Sequence, residues 1–255
     1  LPRGEMVDTI DEGGHAGEED DGASWAILDD DDADDEDDED EADEDEAEAT
    51  DDSVDGSSSE SGLRRHQLEA ADRIQEHLFS NENEGVDLRC TVVMPGGSGK
   101  TRVGMAAAAC AFDRDAGAVV IVLIPRLALL EQTVREYLDS AAGSFPEAWR
   151  ASALCVCSGL GGIELPYTTD PEAIRERLRN HYEHTNSENE KNLIIFSTYA
   201  SVKNIEAAQK PMAHQWKPFD LIILDEAHYT AGGGADSARS LDNSHLNATR
   251  RLFMT

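Results

Sequence analysis

The first quarter of the chain has almost no positive charge. Between residues 1 and 62 the only basic side chain is Arg3, against 29 Asp and Glu, so this stretch has a net charge of −28 and leaves −5 for residues 63–255. A chain of this composition cannot bury enough apolar surface to offset the entropy of ordering it. We therefore predict a disordered acidic tail at residues 1–62 and a folded domain at residues 63–255.

Long apolar runs are missing as well. The most apolar stretch, residues 118–124, is followed by Pro125 and Arg126, and it falls far short of the roughly 20 residues that span a bilayer. Residues 1–30 contain no apolar run behind a positively charged start, which is the pattern of a secretory signal. These absences argue against a membrane or secreted protein and predict a soluble, intracellular one, in either the nucleus or the cytoplasm.

Cysteine is scarce, with four residues in the chain and no C-x-x-C pair. This argues against a disulfide scaffold or a zinc site. Cys155 and Cys157 are two positions apart in an apolar run, so on a strand they would point to the same face. We interpret both as small core side chains.

Two interpretations of the acidic tail stay open. It is either a solubilising segment or an acidic arm that binds a basic partner or competes with nucleic acid for a basic groove. In the second case, Trp25, Ile27 and Leu28 are the apolar side chains that would anchor the contact.

After Gly62 the chain alternates between apolar strand-like runs and amphipathic helical segments. Strands that alternate with helices of this length form a mostly parallel sheet with helices on both faces. We predict an α/β fold of this kind. The predicted strands are 90–94, 118–124, 153–157, 193–197, 219–224 and 251–254, and the predicted helices are 64–79, 99–112, 127–140, 171–184 and about 201–210.

The start of the 171–184 helix can be read in two ways. Thr169 is the N-cap if Glu172 completes a capping box with it. Alternatively, Asp170 is the N-cap and Pro171 is the first helical residue, a position that favours proline.

A glycine-rich segment follows the first predicted strand and leads into an alanine-rich helix. In such an arrangement the loop N–H groups and the helix N-terminus surround phosphates, a lysine reaches the β- and γ-phosphates, and a hydroxyl binds Mg²⁺. The pattern G-x-x-x-x-G-K-S/T would place glycine at position 94, where this chain has Met94. The predicted nucleotide contacts are Pro95, Gly96, Gly97, Ser98, Gly99, Lys100 and Thr101, with Thr101 also on the metal.

A second candidate segment, D-E-A-H, begins at Asp225 directly after the apolar run 219–224. Open α/β sheets place their sites at the carboxyl ends of parallel strands. Asp225 would hold Mg²⁺, directly or through water, opposite Thr101, and Glu226 would orient and deprotonate the attacking water. His228 either couples the nucleotide state to a neighbouring loop or caps the end of the strand.

Together, the two segments resemble those of the first RecA-like domain of superfamily 2 helicases, in the branch that includes UvrB and the type III restriction subunits. Four further segments of this group have similar counterparts here, so the resemblance covers about residues 63–255. They are L-R-R-H-Q at 63–67, I-P-R-L at 124–127 extending to Gln132, F-S-T-Y-A-S at 196–201, and R-R-L-F-M-T at 250–255, which is similar to the approach to a T-A-T or S-A-T motif.

The resemblance implies an ATP-driven motor that uses Mg²⁺ and moves on nucleic acid. It implies that Gln67 contacts adenine and that Arg126, Ser197 and Thr198 lie on the nucleic-acid side. It also implies a second RecA-like domain in the full-length protein, which closes over the nucleotide and supplies an arginine finger. We therefore expect this chain to be an N-terminal fragment with slow ATP hydrolysis and no unwinding.

Two alternatives remain at this point. D-E-A-H also names a group of RNA helicases, although the S-T-Y-A-S segment and the opening helix favour DNA. The chain could instead be a non-motor acidic binding module on a P-loop fold. Against that module, the lysine, threonine, aspartate and glutamate that the chemistry needs are all present: Lys100, Thr101, Asp225 and Glu226.

Overall fold

The computed structural model of the chain describes residues 62–80, 87–138, 153–184, 192–232 and 238–255. The predicted acidic tail, apart from Gly62, lies outside the described residues, so its role and its possible basic partner stay predictions. In the described part, no helix combines the length and the apolar character needed to cross a membrane.

Helices and strands alternate along the described chain, as the pattern of apolar residues predicts. Their order is α1 (Arg65–Phe79), β1 (Leu88–Val92), α2 (Lys100–Arg114), β2 (Val119–Ile124), α3 (Leu127–Leu138), β3 (Ala153–Val156), β4 (Tyr167–Thr168), α4 (Pro171–His184), β5 (Leu193–Thr198), α5 (Val202–Gln209), β6 (Leu221–Leu224), α6 (Tyr229–Gly232) and β7 (Arg250–Met254).

These strands form one sheet in the order β1-β7-β6-β2-β5-β3-β4. Every neighbouring pair in that order is parallel. The predicted α/β class with a parallel sheet is therefore confirmed. Two elements were not predicted, β4 and α6, because segments of two and four residues are too short to show a period.

The central strand β2 shows that helices cover both faces of the sheet. All six of its residues are buried, and successive side chains of a strand point to opposite faces. One set packs with α1, α2 and α3, and the other packs with α4 and α5. The first set is Val120, Val122 and Ile124, and the second is Val119, Ile121 and Leu123.

The start of α4 is decided in favour of the second alternative. Asp170 precedes the helix, and its Oδ1 accepts a hydrogen bond from the Glu172 N–H at 3.1 Å. Pro171 is the first helical residue, where its missing N–H costs nothing. The capping box with Thr169 is therefore wrong.

The two closely spaced cysteines lie in the core, as predicted. Cys155 and Cys157 are both buried and belong to the same apolar cluster. Burial raises the pKa of the Cys155 thiol to about 12. A thiol with such a pKa stays protonated near neutral pH and is chemically inert.

A buried arginine fixes the start of β7, the strand that lies between β1 and β6. Arg251 is fully buried and donates hydrogen bonds to Asp87 at 2.5 Å, to the Ser240 carbonyl at 2.9 Å and to the Leu246 carbonyl at 2.6 Å. A buried charge is tolerated when its donors are all satisfied in this way. The position of β7 matters because both candidate loops hydrogen-bond to its far end.

Candidate nucleotide site

The two predicted loops lie at the same edge of the sheet. They follow β1 and β6, which run parallel with β7 between them, so their ends are two strand spacings, about 10 Å, apart. The end of β7 holds both loops through the backbone. The Met94 N–H donates to the Thr255 carbonyl at 2.9 Å, and the Ala227 N–H donates to the Met254 carbonyl at 2.7 Å.

The glycine-rich loop turns sharply between β1 and α2. Gly97 and Gly99 adopt φ values of 72° and 91°, in the left-handed region that glycine enters at little cost. The Ser98 hydroxyl donates to the Pro95 carbonyl at 2.7 Å and closes the turn. Because α2 begins at Lys100, the partial positive charge of its N-terminus lies at the loop.

Gln67 packs against this loop. Its side chain is almost fully buried, its Nε2 donates to the Ser98 carbonyl at 2.8 Å, and its Oε1 accepts from the Arg64 N–H at 2.9 Å. A ring nitrogen of His66 lies 3.0 Å from the same Ser98 carbonyl. Two neighbouring side chains of α1 therefore hold the loop. The contact of His66 was not predicted, since nothing in the sequence relates it to Ser98.

The left-handed backbone of Gly99 and its contact with Gln67 predict that a side chain at this position destabilises the fold. A Cβ atom on Gly99 would lie 2.2 Å from Gln67 Nε2, in a backbone conformation with φ of 91°. We expect Gly99→Ala to lower the free energy of unfolding by about 1–3 kcal/mol, as measured by urea denaturation.

Gly96→Ala is the matched control, because a Cβ atom at Gly96 meets no atom within 4 Å. Its free energy of unfolding should stay within about 0.5 kcal/mol of the unsubstituted chain. Equal losses from the two substitutions would show that the steric account of Gly99 is wrong.

The structure brings Lys100 and Glu226 together. Lys100 Nζ lies 3.5 Å from Glu226 Oε1 and 3.5 Å from the Met94 carbonyl. The predicted phosphate-binding lysine and the predicted general base therefore face the same space. Thr101 follows as the second residue of α2.

Glu226 is held in an unusual backbone conformation. Its φ is 49°, in the left-handed region that costs a non-glycine residue about 1 kcal/mol or more. Its N–H donates to Asp225 Oδ1 at 3.0 Å. Strain of this kind persists where the surroundings fix a side chain in one direction, and here that side chain reaches Lys100.

Asp225 lies half-buried at the end of β6. Burial raises the pKa of its carboxyl above the ordinary value and the Glu226 carboxylate raises it further, while the Glu226 N–H and the Lys100 ammonium act in the opposite direction. A divalent cation would favour the ionised carboxylate. The donor set of the Asp225 carboxylate and the Thr101 hydroxyl consists of oxygen atoms, which are the ligands that Mg²⁺ prefers.

His228 connects the D-E-A-H segment to the end of β7. Its Nδ1 lies 3.4 Å from Glu226 Oε2 and 3.3 Å from Thr255 Oγ1. These contacts are compatible with both interpretations of His228, coupling to a neighbouring loop and capping of the strand end.

The three predicted nucleic-acid contacts have different surroundings. Arg126 is exposed in the turn between β2 and α3, and Thr198 is half-buried at the end of β5. Ser197 is fully buried, and its hydroxyl donates to the Val156 carbonyl at 3.1 Å. The side chain of Ser197 therefore does not reach the surface, and the structure does not support it as a contact. One position earlier in β5 it faces the core, whereas Thr198 lies where the strand ends.

Tyr199 is a site residue that the sequence reasoning missed. Its side chain is 5% exposed, and its hydroxyl donates to the Asp225 carbonyl at 2.9 Å. Burial raises the pKa of this hydroxyl, and the nearby Asp225 and Glu226 carboxylates raise it further, so it stays a donor. The hydrogen bond of Tyr199 therefore joins the S-T-Y-A-S segment to the D-E-A-H segment. No local pattern in the sequence indicates the contact between Tyr199 and Asp225, because the two residues are far apart along the chain.

Residues 60–255 match the sequence profile of the family described as type III restriction enzyme, res subunit. The chain belongs to the res subunit family. The resemblance to the first RecA-like domain of superfamily 2 helicases is thereby confirmed, and the res-family chain contains a motor domain of the helicase and ATPase type. No protein with a curated description matches it.

Solved structures that are similar to this res-family chain include two Type ISP restriction-modification enzymes. One is a nuclease-deletion mutant of the Type ISP restriction-modification enzyme LlaGI in complex with a DNA substrate mimic, with 25% identity and a TM-score of 0.58 over 76% of this chain and 17% of that enzyme. The other is the ATP-dependent Type ISP enzyme LlaBIII bound to DNA, with 24% identity and a TM-score of 0.56 over 76% of this chain and 12% of that enzyme. The res-family chain thus spans less than a fifth of either enzyme.

Proposed function

We propose that this res-family domain binds Mg·ATP between the glycine-rich loop and the D-E-A-H segment and is the nucleotide-binding half of a DNA translocase. One observation carries the proposal. Lys100 Nζ lies 3.5 Å from Glu226 Oε1, although the two residues belong to loops that leave different strands. A phosphate-binding lysine beside a carboxylate at the end of a parallel strand is the arrangement that phosphoryl transfer to water requires.

Each side chain at this edge has a role in the proposed reaction. Lys100 and the loop N–H groups bind the phosphate oxygens. The Thr101 hydroxyl and the Asp225 carboxylate would hold Mg²⁺, which when bound neutralises charge on the phosphates. Glu226 orients the attacking water and accepts its proton.

Gln67 and His228 extend the site in two directions. Gln67 is proposed to contact adenine, in addition to the loop contact that its Nε2 makes with Ser98. His228 is proposed to sense the nucleotide state, because its ring lies between Glu226 and Thr255. The adenine contact of Gln67 is implied by the family resemblance, and the role of His228 is proposed from its position in the D-E-A-H segment.

The nucleic-acid side is proposed to include Arg126 and Thr198. The preference for DNA over RNA is supported by the two similar restriction-modification enzymes, both of which were solved with DNA or a DNA substrate mimic. RNA remains the alternative substrate. In the intact protein, we propose that a second RecA-like domain closes over the nucleotide and supplies the arginine finger, a contribution worth about 10³–10⁵ in rate in related enzymes.

The proposal is tested by nucleotide binding and single-turnover hydrolysis on the chain itself. We expect fluorescent ATP to bind only with Mg²⁺, ATP to be hydrolysed slowly, and no strand separation. Duplex DNA should change ATP affinity more than RNA of the same length does. Because phosphate contacts release counterions, this effect should weaken as salt increases.

Two outcomes would contradict the proposal. ATP binding that does not depend on Mg²⁺ would argue against the shared metal site. An ATP affinity that neither DNA nor RNA changes would argue against a motor and favour the non-motor binding module.

A further inference from the structure

Tyr229 directly follows the D-E-A-H segment and belongs to none of the predicted motifs. It is the first residue of α6, and 38% of its side chain is exposed. An aromatic side chain of this exposure contributes little to the core, so its position calls for another explanation. Its contacts on either side provide one.

On one side, Tyr229 contacts the proposed nucleic-acid residue Arg126. Arg126 donates from Nη2 to the Tyr229 hydroxyl at 3.3 Å, and its guanidinium carbon lies 6.0 Å from the centre of the tyrosine ring. The two residues are far apart along the chain, and one hydrogen bond together with a distant cation–π contact joins them.

On the other side, Tyr229 packs against His228. The two ring centres are 4.7 Å apart, with the planes inclined by 38°. His228 Nδ1 in turn lies 3.4 Å from Glu226 Oε2. A continuous line of side-chain contacts therefore leads from Arg126, through Tyr229 and His228, to the carboxylate that is proposed to activate water.

We propose that Tyr229 is a positioning residue that transmits nucleic-acid binding at Arg126 to Glu226, an inference that rests on the proposed function. A phosphate offers Arg126 an ionised acceptor that a guanidinium can bind through two parallel hydrogen bonds, whereas the Tyr229 hydroxyl offers one neutral oxygen. Phosphate binding therefore draws the guanidinium away from the Tyr229 hydroxyl. The Tyr229 ring then loses its restraint, and the His228 ring stacked on it can change its contact with Glu226.

The direct test is Tyr229→Phe, which removes the hydroxyl and keeps the ring. The measured quantity is the coupling ratio, defined as the single-turnover hydrolysis rate with saturating duplex DNA divided by that without DNA, because the relay ends on Glu226. We expect Tyr229→Phe to bring this ratio about fivefold closer to one by moving the rate without DNA towards the rate with DNA, and to change the ATP affinity by less than about twofold. Tyr167→Phe is the matched control. Tyr167 is 53% exposed, and it lies on the edge strand β4, which three strands separate from β6, the strand before Tyr229.

A double-mutant cycle with Arg126→Gln adds a readout that a merely structural role would not move. If the two residues act through one contact, the double variant has the coupling ratio of Arg126→Gln alone, because either change breaks the same contact. Additive effects would mean that Tyr229 acts independently of Arg126 and would overturn the relay.

The outcomes distinguish this inference from the proposed function. If DNA leaves the ATP affinity of the unsubstituted chain unchanged and its coupling ratio is one, the proposed function fails and the relay fails with it. If DNA changes the ATP affinity but the coupling ratio is one, the function stands and the relay is wrong. If that ratio differs from one and Tyr229→Phe leaves it unchanged, the function stands and the relay is wrong. A reduced ratio in Tyr229→Phe, together with an unchanged ratio in Tyr167→Phe, supports the relay.

Discussion

Replacing Lys100 with alanine is expected to weaken Mg·ATP binding by about 10- to 100-fold, the loss that follows when a charged hydrogen-bond donor to a buried partner is removed. In the structure the Lys100 side chain is 14% exposed and lies beside Glu226, and it follows the glycine-rich loop as the first residue of α2. Titration with a fluorescent ATP analogue measures the loss.

Lys210→Ala is the matched control, because Lys210 is an exposed lysine just after α5. It should bind Mg·ATP as the unsubstituted chain does. The fold of Lys100→Ala should be intact, since the Lys100–Glu226 pair is partly exposed and pairs of that kind contribute about 0–1 kcal/mol. Unchanged ATP affinity in a folded Lys100→Ala chain would mean that phosphates do not bind at this loop.

Replacing Glu226 with glutamine is expected to separate binding from hydrolysis. Glutamine keeps the size of the side chain and cannot accept a proton, so single-turnover hydrolysis should slow by about 10²- to 10⁴-fold, the contribution of a general base. The affinity for Mg·ATP should stay within a few-fold, because Glu226 is not proposed to hold the phosphates or the metal. Single-turnover assays with excess protein measure both quantities.

Glu69→Gln serves as the control for Glu226→Gln. Glu69 is exposed on α1 and pairs with the exposed Arg65, so its loss should change neither binding nor hydrolysis. A Glu226→Gln chain that hydrolyses ATP at the unsubstituted rate would show that another group activates the water. A chain that also loses ATP binding would mean that Glu226 has a structural role.

The order of helices and strands could be predicted because the apolar residues of each segment follow the pattern expected of a strand or of a helix. The run Val119–Ile124 is apolar at every position, as a strand covered on both faces must be. The first helix has Ile74 and Leu78 on one buried face, at the spacing of a helix. The strand β4, at Tyr167–Thr168, is too short for any such pattern and depends on its pairing with β3.

The residue types of the candidate site were visible in the sequence, but their neighbours were not. Gly99 and the D-E-A-H segment that begins at Asp225 could be predicted because each belongs to a short sequence motif. That Lys100 faces Glu226 depends on β7 lying between β1 and β6, and no local pattern encodes the order of strands. The same limit explains the error at Ser197 and the omission of Tyr199, because both depend on which strand or loop packs against β5.

The proposed nucleotide site depends on one metal ion that is bound by residues from two loops. The most direct measurement is a crystal structure of the chain with Mn²⁺ and a non-hydrolysable ATP analogue, with the metal located by its anomalous scattering. The proposed site predicts one Mn²⁺ ion bound by Thr101 Oγ1 and by the Asp225 carboxylate, directly or through one water, with Lys100 on the phosphates. A metal and triphosphate bound at any other surface, with Lys100 still paired to Glu226, would contradict it.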